Sequence, residues 1–170
     1  NYAIMNAYSL SGDDDLFKKG DFFMRATYIQ DVKEWVSGFS FSTKVRIRFS
    51  ETDMFGHVNN TKVFAYFEYA RIEYFKAMGF NFTGETEGQN MFVVADIQCD
   101  YLKEVFFDEE LTIFVKTASI GTSSLDLHYM VKNEKDEVCY TGRGTLVQLN
   151  HNTGKGVPLL EDQKKLLLGK

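Results

Sequence analysis

Beyond residue 90 the chain is a series of strand-like runs joined by links too short to cross a sheet. The runs span about 91–102, 110–120, 123–133 and 137–150, and the links between them are short polar turns such as Gly121-Thr122 and Glu134-Lys135-Asp136. A parallel crossover needs a dozen or more residues, so these runs must pair as antiparallel neighbours. The third alternates cleanly: Leu125, Leu127, Tyr129 and Val131 share one face, and Ser124, Asp126, His128 and Met130 the other. A shorter run at 44–49 precedes them, with Val45, Ile47 and Phe49 alternating with basic residues. Between it and residue 90 lies the longest helical pattern, 60–78. Val63, Phe67, Ala70, Tyr74 and Ala77 repeat there at three- and four-residue spacing and line one face. Asn59 or Asn60 is placed to cap its start and Gly79 to end it. At the standard rise such a helix is roughly 28 Å long. Phe64, Tyr66, Tyr69 and Ile72 extend its apolar surface beyond one stripe, which suits a helix wrapped by a curved sheet. Strand, long helix and antiparallel run predict an α+β domain, with a short closing helix at 161–168.

Composition narrows the class of partner. The chain has 170 residues, enough for one domain with a substantial core, and it carries sixteen Phe, nine Tyr and a single proline, Pro158. Its net charge is −5 with no Lys/Arg block, which excludes a nucleic-acid footprint. Cys99 and Cys139 each sit inside an apolar run and read as buried thiols of a reducing cytosol. Neither belongs to a Cys/His cluster, so no metal is expected. No apolar run reaches the ~20 residues of a membrane span, and the opening residues lack a signal-peptide pattern. The expectation is a cytoplasmic protein with no membrane partner. Patterning divides it into an N-terminal extension (1–42), a domain (43–162) and a C-terminal tail (163–170).

The opening residues carry one unusual feature. Lys19-Gly20-Asp21-Phe22-Phe23-Met24 can be encoded by AAA-GGA-GAT-TTT-TTT-ATG, which places AGGAG shortly before an ATG. This predicts that native translation starts at Met24 and that 1–23 is translated leader. The rival is a genuine N-terminal helix or the end of another module.

Chemistry concentrates in 48–60, between the first strand and the long helix. A helix N-terminus presents unpaired N–H groups and the positive end of a dipole. Such donors can polarise a carbonyl and hold the oxyanion formed on attack. Asp53 lies seven residues before Asn60, where a carboxylate could act beside that pole. Asp and Asn before a helix are also ordinary turn and cap residues, and spacing leaves both readings open.

The motifs go further. Phe49-Ser50-Glu51-Thr52-Asp53, Gly56-His57-Val58-Asn59-Asn60 and Tyr66-Phe67-Glu68-Tyr69-Ala70-Arg71 together resemble the 4-hydroxybenzoyl-CoA thioesterase family. The Gly-His-Val-Asn-Asn variant is also similar to that of plant-type acyl-carrier-protein thioesterases. Phe92 to Ala95, Cys99 to Leu102, Gly121 to Ser124, Gly142 to Gly144 and Val157 to Leu159 extend the resemblance across 43–162. It implies a hotdog fold, an antiparallel sheet wrapped around one long central helix. It also implies pairing of two chains, as a homodimer or dimer of dimers, with active sites at the shared interface. Asp53 matches the catalytic aspartate, the Asn60 N–H the carbonyl-polarising group, and Gly56 the glycine that turns the chain into the helix. Some relatives carry histidine or tyrosine where this chain has Asn60, a change the backbone role survives.

The implied activity is hydrolysis of an acyl thioester, on coenzyme A or a carrier protein, to acid and thiol. Coenzyme A is then part of the substrate, and no separate cofactor is implied. Asp53 would act as general base or nucleophile. His57 reads equally as a base or as a hydrogen-bonded turn residue, and Asn59 supports the turn. Glu68 and Glu73 on the long helix are the alternative carboxylates, because a related hotdog branch uses a helix glutamate. Ser123 and Ser124 could contact the thioester or pantetheine. Glu51 reads as exposed or ion-paired, and His128 and His151 as uninvolved. Cys139 has no evident base partner. The alternative function is a non-catalytic acyl-CoA-binding or sensing module. A dehydratase would want a histidine on the long helix, which has none.

Overall fold

The computed structural model describes residues 26–80 and 90–168; the expected leader, 1–23, lies outside them. One antiparallel sheet contains β1 (Phe41–Arg46), β2 (Asn90–Tyr101), β3 (Glu110–Ile120), β4 (Ser124–Lys132) and β5 (Val138–Asn150). The strand order is β1-β3-β4-β5-β2. α1 (Val32–Ser37) lies ahead of the sheet in sequence, α2 (Lys62–Ala77) between β1 and β2, and α3 (Glu161–Leu167) at the end. The expected antiparallel sheet around one long helix is therefore what forms. Among the described residues, no helix is long and apolar enough to cross a membrane.

The core lies between α2 and the inner sheet face. Val63, Phe67 and Ala70 are fully buried there, and Tyr66, Tyr74 and Phe75 nearly so. They meet Leu111, Ile113 and Val115 of β3 and Leu125, Leu127, Tyr129 and Val131 of β4. Each large apolar side chain so buried contributes about 2–3 kcal/mol relative to exposure. Phe67 stacks on Tyr129 with ring centroids 4.3 Å apart. Room for its ring comes from Gly142, where a Cβ would lie 2.5 Å from Phe67 Cε2 and 2.6 Å from the Gln98 carbonyl oxygen. α2 stops where Gly79 takes φ +85° and donates to the Lys76 carbonyl, while Phe80 N–H returns to Phe75.

One expectation needs correction here. The first strand ends at Arg46 rather than running to residue 49, and it begins earlier, at Phe41, whose ring packs on Tyr74. Residues Phe49–Glu51 instead form a 3-10 turn, drawn tight because the Glu51 carboxylate accepts the Arg48 N–H at 2.8 Å. Phe49 consequently points outward, 76% exposed. The outer face of β4 is covered in part: His128 and Met130 are buried, and Tyr28 and Trp35 lie against His128.

That covering segment is built around Trp35. Asp31 caps α1 by accepting the Glu34 N–H at 2.9 Å. The helix turns the Trp35 ring onto Phe39, and its indole N–H donates to His128 Nδ1 at 2.8 Å. Lys116 of β3 donates to the Trp35 carbonyl and lies over both rings. The Tyr28 hydroxyl bonds Asp100 Oδ2 at 2.9 Å and Thr141 Oγ1 at 3.2 Å. At the other end of the chain, Leu167 of α3 enters the core beside Tyr74.

Candidate active site

The 52–58 segment is a small hairpin. Thr52 and Val58 pair across it, and Asp53 N–H donates to the His57 carbonyl at 2.8 Å. The tip closes with Gly56 N–H on the Asp53 carbonyl at 3.1 Å, and Gly56 takes φ +81°, a conformation that glycine adopts without strain. Val58 N–H bonds the Val105 carbonyl and His57 pairs with Phe106, so the hairpin is stitched to the segment after β2. Asp53 is thereby held by backbone on both sides. Its Oδ1 accepts the Phe55 N–H at 2.8 Å. Its Oδ2 has no hydrogen-bond partner among the described residues and is left to act on something else.

The helix entry is organised differently from expectation. Neither Asn59 nor Asn60 caps α2; Thr61 occupies the cap position, without a side-chain cap bond. Asn59 instead folds over the turn, its Oδ1 accepting Thr61 N–H at 3.0 Å and Thr61 Oγ1 at 2.8 Å. Asn59 N–H reaches the Glu51 carbonyl and Lys62 N–H the Asn59 carbonyl, at 2.8 and 2.9 Å. Asn60 N–H is left with no acceptor among the described residues. It is a free donor near the positive pole of a 16-residue helix.

Asp53 and Asn60 face the same open groove, of about 310 Å³. His57, Val58, Tyr101, Leu102, Val105 and Tyr140 complete its walls, with Lys103 and Glu104 at its rim. His57 Nε2 is 3.7 Å from the Glu104 carboxylate, and its ring stands edge-on to Phe106. Burial pushes the Tyr101 hydroxyl up to about 12 and raises Tyr140 further, so both remain protonated donors at neutral pH. Exposed Met54 and Phe55 sit on the Asp53 turn itself.

The other candidates fall elsewhere. Glu68 is on the solvent side of α2, 3.5 Å from Arg71. Glu73 is mostly buried and bonds Lys76 at 2.8 Å. Neither lines the groove. Ser123 and Ser124 lie at the opposite end of the sheet, where their carbonyls accept the Gln148 and Gly121 N–H groups. Glu51, expected to be exposed or ion-paired, is half-buried and has no ion pair among the described residues; its Oε2 takes both Arg48 N–H and the Tyr66 hydroxyl, at 2.8 and 3.0 Å. Burial raises the Cys99 thiol to about 12 and Cys139 to about 11, leaving both protonated and poor nucleophiles. The contributions of Tyr101 and Tyr140 were not found from the sequence. Only their neighbouring positions at the paired ends of β2 and β5 bring them here.

A carboxylate oxygen and a helix-entry N–H facing one groove can activate water and stabilise an oxyanion on the same carbonyl. Comparison with known proteins points the same way. Residues 47–167 match the thioesterase-like superfamily. The uncharacterized protein YsmA of Bacillus subtilis (strain 168) is 50% identical over 136 residues, covering 80% of this chain and 90% of that one. A thioesterase from Thermus thermophilus, crystallised with coenzyme A and Zn, superposes with a TM-score of 0.68 at 33% identity, covering 78% of this chain and 94% of that one. A DHNA-CoA thioesterase from Staphylococcus aureus gives 0.65 at 27% identity, over 69% and 79%. The fold is thus hotdog-like, and thioester hydrolysis is the class of activity that these relatives support.

Proposed function

Because the chain belongs to the thioesterase-like superfamily, we propose that it hydrolyses acyl-CoA thioesters in the groove between Asp53 and Asn60. The observation that carries this reading is the pairing of an unbonded Asp53 oxygen with an unbonded Asn60 N–H on one groove. Coenzyme A as the carrier is supported by the coenzyme A complex of the Thermus enzyme. The narrower placement beside the 4-hydroxybenzoyl-CoA thioesterases rests on the 49–53 and 56–60 motifs.

Asp53 removes a proton from water as the water oxygen attacks the thioester carbonyl. The carbonyl π electrons move to oxygen, where the Asn60 N–H meets the developing charge. Collapse of this intermediate breaks the C–S bond, and the sulfur leaves with the proton to give free thiol and acid. In the nucleophilic variant Asp53 attacks first, the thiolate leaves, and water opens the resulting mixed anhydride. No separate cofactor enters either route.

The functional unit is at least a dimer. Ser123 and Ser124 stand at the far end of the sheet from the groove of their own chain. Among the described residues, β2 pairs with β5 alone and its other edge is unpaired along twelve residues. A two-fold axis across that edge would carry one chain's far end toward its partner's groove, in keeping with the shared sites that the resemblance implies.

The test is single-turnover hydrolysis of a good acyl-CoA substrate by Asp53→Asn. This change keeps size and turn preference but removes charge and basicity. Turnover falls by about 10²–10⁴, with substrate binding and folding little changed. Near-normal turnover in Asp53→Asn, with collapse in His57→Gln, Glu68→Gln or Glu73→Gln, would move the chemistry away from Asp53. In oxygen-18 water with excess enzyme, label appearing in the protein identifies an anhydride opened at the aspartyl carbonyl.

A further inference from the structure

We infer that Tyr101 is a positioning residue, whose hydroxyl holds the Asn60 peptide so that its N–H faces the groove. This rests on the reading of Asn60 given above. Four polar groups, from two peptide units, flank the Asn60 Cα. The preceding carbonyl, of Asn59, accepts Lys62 N–H at 2.9 Å. The following N–H, of Thr61, donates to Asn59 Oδ1 at 3.0 Å. The Asn60 carbonyl accepts the Tyr101 hydroxyl at 2.6 Å, leaving only the Asn60 N–H unpaired among the described residues. Two of the three bonds are local, and they hold the turn to itself. The Tyr101 bond is the one that spans 41 residues and ties the peptide to the sheet.

The anchor is rigid where it needs to be. Tyr101 is the last residue of β2, paired with Tyr140 of β5, and the two rings meet edge to face at 5.6 Å. Immediately beyond it, Leu102 N–H and Lys103 N–H both bond the Cys139 carbonyl. The phenol therefore reaches across from one groove wall to the helix entry on the other. Without it the Asn60 carbonyl can turn toward water, and the amide plane on the other side of the same Cα loses its fixed direction. An oxyanion donor works through preorganisation, so this loosening reduces turnover more than binding.

The experiment is steady-state kinetics of Tyr101→Phe on an acyl-CoA that the wild type hydrolyses, with Asp53→Asn measured beside it. The expected result is a fall in kcat of about tenfold, as for loss of one hydrogen bond. KM changes less than about twofold, the thermal midpoint barely moves, and both limbs of the pH–rate profile stay in place. Unchanged kcat overturns the inference. So does loss of the alkaline limb, which would make Tyr101 the proton donor to the leaving thiol. If Tyr101→Phe fails to fold, 3-fluorotyrosine at position 101 replaces it. As a stronger donor it keeps kcat at or above the wild-type value with the pH limbs unmoved, whereas a drop in kcat or a shifted alkaline limb refutes positioning. Normal turnover by Asp53→Asn means that the site reading itself is wrong. Collapse of Asp53→Asn with an unaffected Tyr101→Phe removes only the role given to Tyr101.

Discussion

Protonating His128 should loosen the segment that covers the sheet. Its ring is buried, with Nδ1 accepting the Trp35 N–H. Burial lowers its pKa from 6.5 to about 4; Lys116 of β3 and Arg143 of β5 push the same way, while Asp126 on its own strand, 3.6 Å away, opposes them. The Tyr28 ring closes the remaining side. Since the folded pKa lies below the unfolded value, the unfolded chain takes up the proton first as pH falls. Stability from this group is full above the unfolded pKa and is lost as pH drops toward the folded one. Linkage puts the loss at about 2 kcal/mol by pH 5 and about 3 kcal/mol near pH 4. Trp35 is the chain's single tryptophan and lies against this histidine, so urea unfolding followed by its fluorescence reads the site directly. Carboxylates titrate in the same range, and the comparison is therefore with His128→Asn, whose side-chain oxygen can accept the indole N–H without titrating. Between about pH 7.5 and pH 5 the wild type should lose roughly 2 kcal/mol more than the variant. Equal losses would show that His128 is not held neutral by burial, and the argument would fail.

Other outcomes follow from the same geometry. Gly142→Ala drives a methyl against Phe67 and the Gln98 carbonyl and should cost about 1–3 kcal/mol in thermal or urea unfolding; an unchanged midpoint would mean the strand can shift freely. His57→Gln, Glu68→Gln and Glu73→Gln should each keep turnover within about tenfold of wild type under conditions where Asp53→Asn loses at least about a hundredfold. Light scattering should find at least a dimer, and a monomer with full activity would refute shared sites.

Legibility from sequence followed the range of the interactions. β3 occupies the span 110–120 expected of the second strand-like run, and its inward residues Leu111, Ile113 and Val115 are all core. The centre of α2 was equally clear, and its C-terminus was signalled by Gly79. Its start was misplaced because Asn59 spends its side chain on Thr61 instead of capping the helix. β1 was extended too far, since alternation continues through Phe49 while a local bond from Glu51 breaks the strand. α1 went unread. At six residues it is too short to show a period, and Trp35 finds its partner 93 positions away. The site divides in the same manner. Asp53, Gly56, His57 and Asn60 form one contiguous motif, whereas Tyr101 and Tyr140 arrive through strand pairing that no local pattern announces.

The segment that seats Trp35 also takes up part of the outside of the sheet. Tyr28 and Trp35 bond Thr141 and His128 there, so these two positions on the outside of the sheet are not open to another copy. Among the described residues, the β2 margin is unpaired along twelve residues, and β1, at the opposite margin, offers six. Pairing across β2 about a two-fold axis consumes that margin in both participants. In the dimer proposed above, growth along that margin stops at the second copy.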